Sequence, residues 1–215
     1  MKEIHLYGTS HVSRDSIELI DEAFSRHDPD IVALELDPLR LQSLLDDEDR
    51  SQGPLFLRLI SRFQDFIGKR TGLMPGRELL YAYERSVERG NDVALIDQDI
   101  RITVDRLRQM SRKEKVKVVL SILAGFVMGP FGYDPSVIPE QDQIDEMVEE
   151  LEEMFPQLYT ILFEERNRVM TENLKAVREE NPGAEIVAFV GASHRKPVKE
   201  ALEDESSSEG EVEEG

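Results

Sequence analysis

Cysteine is absent from all 215 residues. That excludes a thiol nucleophile, thiolate zinc sites, iron–sulfur clusters and a disulfide-stapled secreted scaffold. Basic residues are scarce against acidic ones: 26 Lys and Arg face 45 Asp and Glu, a formal net charge of −19. Nucleic-acid affinity rests on Lys and Arg meeting phosphates, so no nucleic-acid partner is expected. An anionic membrane surface would repel the chain as well. Long hydrophobic runs are missing too. The one apolar run, residues 118–131 (VVLSILAGFVMGPF), is broken by Gly125, Gly129 and Pro130 and falls short of the roughly 20 residues a spanning helix needs. It reads as a buried helix or one that builds a homodimer interface, and membrane association is not expected. The strand pattern starts at Ile4 with no signal peptide ahead of it, so a cytoplasmic location is expected.

What is present describes a folded body. Hydrophobic residues at 40% with 33% charged residues are globular proportions, and the length suits one large domain carrying helical insertions. Seven acids and no base fall in residues 203–215 (EDESSSEGEVEEG). Such a composition cannot offset the entropy of folding, so a disordered acidic tail is expected after a single domain over 1–202.

Four short apolar segments read as buried strands, at 4–7, 30–36, 92–96 and 185–190; they are rich in β-branched residues and bounded by turn residues. Ile17, Ile20 and Phe24 make an apolar stripe on a helix after the first, with Ser13 as its N-cap. Pro38 starts another helix, ending near Leu45. Helical spacing then dominates 54–90, with a break at 71–76, and again 142–155 and 157–180, where no strand intervenes. The expected fold class is α/β: a small, mostly parallel sheet of about four or more strands flanked by helices. Large helical insertions are expected around 54–90 and 105–181, roofing a site or forming a dimer interface.

In an open α/β sheet, ligands bind outside the carboxyl ends of the strands. The first strand runs into Gly8-Thr9-Ser10-His11 and the last into Gly191-Ala192-Ser193-His194. Both are Gly-x-x-His segments at a strand-to-helix turn, in a chain with four histidines. The second strand delivers Glu35 and Asp37, the third Asp97 and Asp99. Two imidazoles and at least two carboxylates on one edge suit a divalent ion such as Mn, Fe, Co or Zn, or a carboxylate base acting on water. Thr9, Ser10 and Ser193 add hydroxyls beside a helix start, where an anion or oxyanion is favoured. Each residue also has a plainer role. Asp97 and Asp99 can cap the next helix, Asp37-Pro38 is a turn opening a helix, His5 is a strand residue and His27 suits the end of a helix dipole.

Together the segments HLYGTSHVSRDS, PDIVALELDPLRLQSLL, VALIDQDIRIT, ERNRVM and VAFVGASH resemble the TraB family. This is the cytoplasmic part of the TraB/PrgY pheromone-shutdown proteins, in the superfamily of TIKI, GumN, ChaN and erythromycin esterase. The likeness runs over residues 3–198 in order. It implies an active site pairing the two Gly-x-x-His histidines with glutamates, which falls on His11, Glu35 and His194, and a helical motif on Glu165, Arg166 and Asn167. Gly8, Ser10, Asp97, Gly191 and Ser193 would support it. TIKI proteins resemble metal-dependent peptidases, the esterase member cleaves a lactone and ChaN binds haem iron, so the resemblance implies a site and not one reaction. Longer members continue into membrane-spanning helices where this chain has its acidic run.

The expected function is a metal-dependent hydrolase of a peptide or small ester-like substrate. His11, Glu35 and His194 would hold Mn, Co or Zn, Glu165 or Asp97 would be base or fourth ligand, and Arg166 would neutralise charge. The alternatives are a non-catalytic module that binds a peptide signal and a metal-free hydrolase in which a Glu–His pair activates water.

Overall fold

Each of the four apolar segments becomes a strand, and a single parallel sheet results. In chain order the elements are β1 (Ile4–Thr9), α1 (Arg14–His27), β2 (Ile31–Leu34), α2 (Pro38–Leu45), α3 (Arg77–Arg89), β3 (Asp92–Leu95), α4 (Ile100–Gln109), α5 (Arg112–Met128), α6 (Gln141–Met154), α7 (Pro156–Tyr159), a π-helical turn (Thr160–Glu164), α8 (Glu165–Glu180), β4 (Ile186–Gly191) and α9 (Ala192–Gly210). The computed structural model describes residues 4–9, 14–46, 76–128 and 141–210. Expectations for the N-cap at Ser13, for 54–75 and for 129–131 therefore lie outside the described residues.

The strand order is β1-β4-β2-β3, and every neighbouring pair is parallel. The last strand in sequence therefore sits inside the sheet, between the first two. Its pattern explains why it is apolar throughout. Ile186, Ala188 and Val190 join Met170 and Leu174 of α8 and Val198 and Leu202 of α9 on one face. Val187 and Phe189 join Ile20 and Phe24 of α1, Leu41 of α2 and Leu79 and Ala82 of α3 on the other. A strand buried on both faces has no polar positions to spare.

Helix boundaries follow their local chemistry. Asp37 caps α2 through Oδ1, which accepts from the N–H of Leu39 at 3.0 Å and of Arg40 at 3.3 Å, with Pro38 at the first helical position. Gly90 ends α3 at φ +78°, a left-handed conformation that favours glycine. Asp99 caps α4 from the N–H of Arg101, and its hydrogen bonds with Arg101 hold its carboxyl at about 2.

Two segments depart from the expected pattern. The long helix expected over 157–180 is interrupted: Pro156 starts α7, and a π turn at Thr160–Glu164 hands over to α8. The acidic run expected as a tail from residue 203 continues α9 as far as Gly210. Glutamate is a good helix former, and that helix is already anchored in the core by Val198 and Leu202. Residues 211–215 lie outside the described residues. The helical insertion has a small core of its own, made by Leu107, Met110, Val118, Phe155, Leu158 and Ile161. The expected apolar helix contributes Val118 to it, while Val116 and Leu120 on the same helix are exposed.

Candidate functional site

Sheet register brings three carboxyl ends together. The β2–β4 ladder runs on past Leu34, the N–H of Glu35 donating to the carbonyl of Phe189 at 3.0 Å. On the other side the N–H of Ile96 donates to Leu34 and that of Asp97 to Leu36, at 3.0 and 3.2 Å. Glu35 and Asp97 thus leave neighbouring strands on the same edge, and both are buried. Gly191 ends β4 beside them and donates its N–H to Glu35 Oε2 at 2.5 Å. His194 follows in the first turn of α9 and is 4% exposed.

Arg166 is the hub of this cluster. Its Nε donates to Asp97 Oδ1 at 2.9 Å. One terminal nitrogen donates to Asp97 Oδ2 at 2.9 Å and to Glu35 Oε1. The other donates to the carbonyl of Leu162 at 3.3 Å and to His194 Nε2 at 3.2 Å. A guanidinium carries five N–H donors, and these contacts engage all of them. Burial works against the charge, but Glu35 and Asp97 outweigh it and raise the pKa above the ordinary arginine value. The group is a permanent cation.

The histidine's protonation follows from its partners. Arginine only donates, so His194 Nε2 accepts, and the ring proton sits on Nδ1. Nδ1 then donates to Asn167 Oδ1 at 2.6 Å. Phe163 stacks on the imidazole at 5.2 Å between centroids, and Glu35 Oε1 lies 3.7 Å from Nε2. The π turn matters here, because it sets Phe163 against the ring directly ahead of Arg166 and Asn167 in α8. π turns inside helices are frequent at functional sites.

Two further residues complete the edge. Arg40, on the first turn of α2, donates to Asp97 Oδ2 at 2.8 Å and keeps 26% of its side chain exposed. It had no motif in the sequence; the sign was its place three residues after Asp37, on a helix opening at a strand's carboxyl end. Asp37 is 1% exposed, and its Oδ2 is buried without a hydrogen-bond partner.

Of the residues singled out from the sequence, Glu35, Asp97, Arg166, Asn167, Gly191 and His194 converge. His11 and Ser10 lie outside the described residues. Glu165 turns to a different surface: it pairs with Arg106 at 3.3 Å and lines a cleft of about 410 Å³ with Arg106, Thr160 and Ile161. Ser193 is half-buried in the first turn of α9. Gly8 has a steric role, since a Cβ there would lie 2.9 Å from Arg195 Cδ and 3.2 Å from Ala192 Cα. Asp99 serves as the cap described above.

His5 and His27 meet at the other end of the strands. Their rings stack at 3.7 Å, His5 Nε2 lies 2.6 Å from Glu185 Oε1 and His27 Nε2 lies 2.6 Å from the Tyr7 hydroxyl. Burial, and then His5, push the His27 pKa below its usual value, Glu185 opposing.

The donor set decides whether an ion fits. Glu35, Asp97 and His194 Nε2 each accept from the Arg166 guanidinium, so the positions an ion would take among them are held by a cation already. As arranged, these described residues do not fit a divalent metal. His5, His27 and Glu185 are the one group among the described residues with three ligand atoms within 4.8 Å of one another. Their near-parallel rings, 21° apart, do not aim two nitrogen lone pairs at a common point.

Comparison with known proteins identifies the family. The model of the TraB/PrgY/gumN family matches residues 1–205. An uncharacterized protein of Methanocaldococcus jannaschii is 32% identical over 212 residues, which cover 89% of this chain and 51% of that protein. The chain thus spans about half the length of this curated relative. Among the described residues, no helix is long and apolar enough to cross a membrane.

Proposed function

As the chain belongs to the TraB/PrgY/gumN family, we propose that it is a hydrolase acting on a peptide or small ester-like substrate at the Glu35–Asp97–Arg166–His194 edge. The observation that carries this reading is the convergence of a buried carboxylate, a neutral imidazole and a fixed guanidinium where an α/β sheet binds its ligands. Glu35 Oε1 and His194 Nε2 lie 3.7 Å apart, too far for a direct hydrogen bond. Because Nε2 already accepts from Arg166, it is the Glu35 carboxylate that holds the attacking water. Glu35 then takes the proton as that water attacks the substrate carbonyl, and returns it to the leaving oxygen or nitrogen as the acyl bond breaks. Arg166 has its donors engaged by the protein, so its part is to fix the geometry and supply positive charge near the developing oxyanion. Arg40, partly exposed, is placed to meet a substrate carbonyl or carboxylate. Asp37 Oδ2 is the buried acceptor for a substrate N–H.

The test is hydrolysis of chromogenic esters and fluorogenic peptides by the purified protein. Glu35→Gln and His194→Asn should each lower kcat by about 10²–10⁴, with folding checked by circular dichroism. Hydrolysis that persists unchanged in both variants would place the chemistry elsewhere. One observation favours a second reading: because the protein engages all of the Arg166 donors itself, the cluster also suits a rigid base for a peptide-binding surface. A peptide that binds without turnover, and whose affinity falls in Arg40→Ala, would select that reading.

A further inference from the structure

We infer that Arg166 is the resident cation of this site, occupying the position a divalent ion would hold, and that removing its side chain converts the cluster into a metal site. The groups it binds are a ligand set by their chemistry: two carboxylates, Glu35 and Asp97, and one imidazole nitrogen whose proton is on the far side of the ring. Asn167, accepting from His194 Nδ1 at 2.6 Å, is the kind of partner that fixes the tautomer of a metal-bound histidine. What separates this arrangement from a metal centre is the guanidinium. It lies 2.9 Å from both Asp97 oxygens and 3.2 Å from Nε2, and its charge is permanent. A divalent ion on the same atoms would lie next to that charge and would cost it its partners in a buried place. Without Arg166 the balance reverses. Two carboxylates and an imidazole would then share a buried space in which Arg40, at Asp97 Oδ2, is the remaining cation among the described residues and neutralises only one of the two carboxylates. An ion with bonds of about 2.0–2.2 Å can fill the vacated place.

Hydrolytic activity is not required for this inference, so its failure and that of the proposed function are separable. Thermal unfolding and calorimetric titration should use Zn²⁺, Mn²⁺ or Co²⁺ at micromolar concentration, with excess Mg²⁺ and salt to saturate loose acidic sites. All proteins should carry His27→Gln, which removes the His5–His27–Glu185 group as a competing site. In that background the parent should show no metal-dependent rise in Tm. Arg166→Ala should unfold at lower temperature without metal, bind at least about tenfold more tightly than the parent and recover part of its Tm. Adding His194→Ala should abolish the gain. Binding to the parent that is lost on His194→Ala or Glu35→Gln overturns the inference, as does a folded Arg166→Ala that binds no better than the parent. Should Arg166→Ala not fold, Arg166→Met supplies the same comparison, and the measurement on the parent decides by itself whether the position is already taken.

Discussion

At the scale of the residue, a buried charge balanced by its neighbours governs the energetics of the site. Arg166 and its two carboxylates are each almost out of contact with water, at 14% and 2% side-chain exposure. Such a pair contributes little net stability when intact, but removing one partner leaves the other charged and desolvated. Glu35→Gln and Asp97→Asn should therefore each cost roughly 3–5 kcal/mol in urea unfolding. Asp97→Asn should cost at least as much, because Asp97 also accepts from Arg40 and from the Gln98 N–H at 2.8 Å. The double variant should cost less than the sum, since both act through one guanidinium. His27 makes a second case, in which burial disfavours the charged form. Its pKa is lowered in the folded protein from the usual 6.5, so the unfolded chain takes up the proton first as pH falls. Its contribution is present above about pH 6.5 and is lost as pH falls below it. His27→Gln should flatten that part of the Tm–pH curve while leaving the behaviour well above that pH in place.

At the scale of the element, strand ends and helix starts are built with almost no slack. Gly8 lies against the first turn of α9, and the nearest backbone atom to a Cβ there is Ala192 Cα at 3.2 Å. Arg195, the other neighbour, reaches back to the Leu6 carbonyl at 3.3 Å. Gly8→Ala must push α9, and with it His194, away from β1. The expected result is a loss of about 1–3 kcal/mol and a larger fall in activity than in stability, read as kcat against Tm on one preparation. Asp37 separates its two roles by substitution. Asp37→Asn retains an N-cap side chain and should leave Tm nearly unchanged, whereas Asp37→Ala should cost about 1 kcal/mol. A rise in KM shared by Asp37→Asn and Asp37→Ala would place Oδ2 on the substrate.

At the scale of the whole molecule, the sheet depends on its last strand. β4 pairs with β1 on one side and β2 on the other, and β1 and β2 are not neighbours. The site inherits that order, since Glu35 comes from β2, Gly191 and His194 from β4 and its following helix, and Asp97 from the end of β3. Slow-exchanging amides should accordingly concentrate in β4, as followed by hydrogen exchange with mass spectrometry. Phe189 is fully buried between α1 and the sheet, and Phe189→Ala should cost about 3–5 kcal/mol. A fragment ending at residue 185 should lack a cooperative unfolding transition, because β1 would have no partner strand.

The strands and most helices were legible because their signals are local. Apolar β-branched runs, Pro38 at a helix start and Gly90 at a helix end each act within a few residues of themselves. Parallel pairing was legible too, since strands apolar on both faces need helices over both. The convergence of Glu35, Asp97 and His194 followed from one topological rule together with the family's motifs. Three matters required tertiary structure. Strand order depends on long-range packing, and no residue of β4 states that it lies between β1 and β2. The π turn at Thr160–Glu164 arises in a stretch whose helical spacing is unbroken, and it sets which side of the helix faces the sheet. That choice sends Arg166 and Asn167 to His194 and Glu165 to Arg106, although the three are consecutive. Charge sharing was the third. In the sequence Glu35, Asp97 and His194 are vacant ligands awaiting an ion, and only their common approach to one guanidinium shows that a cation from the chain itself fills that place.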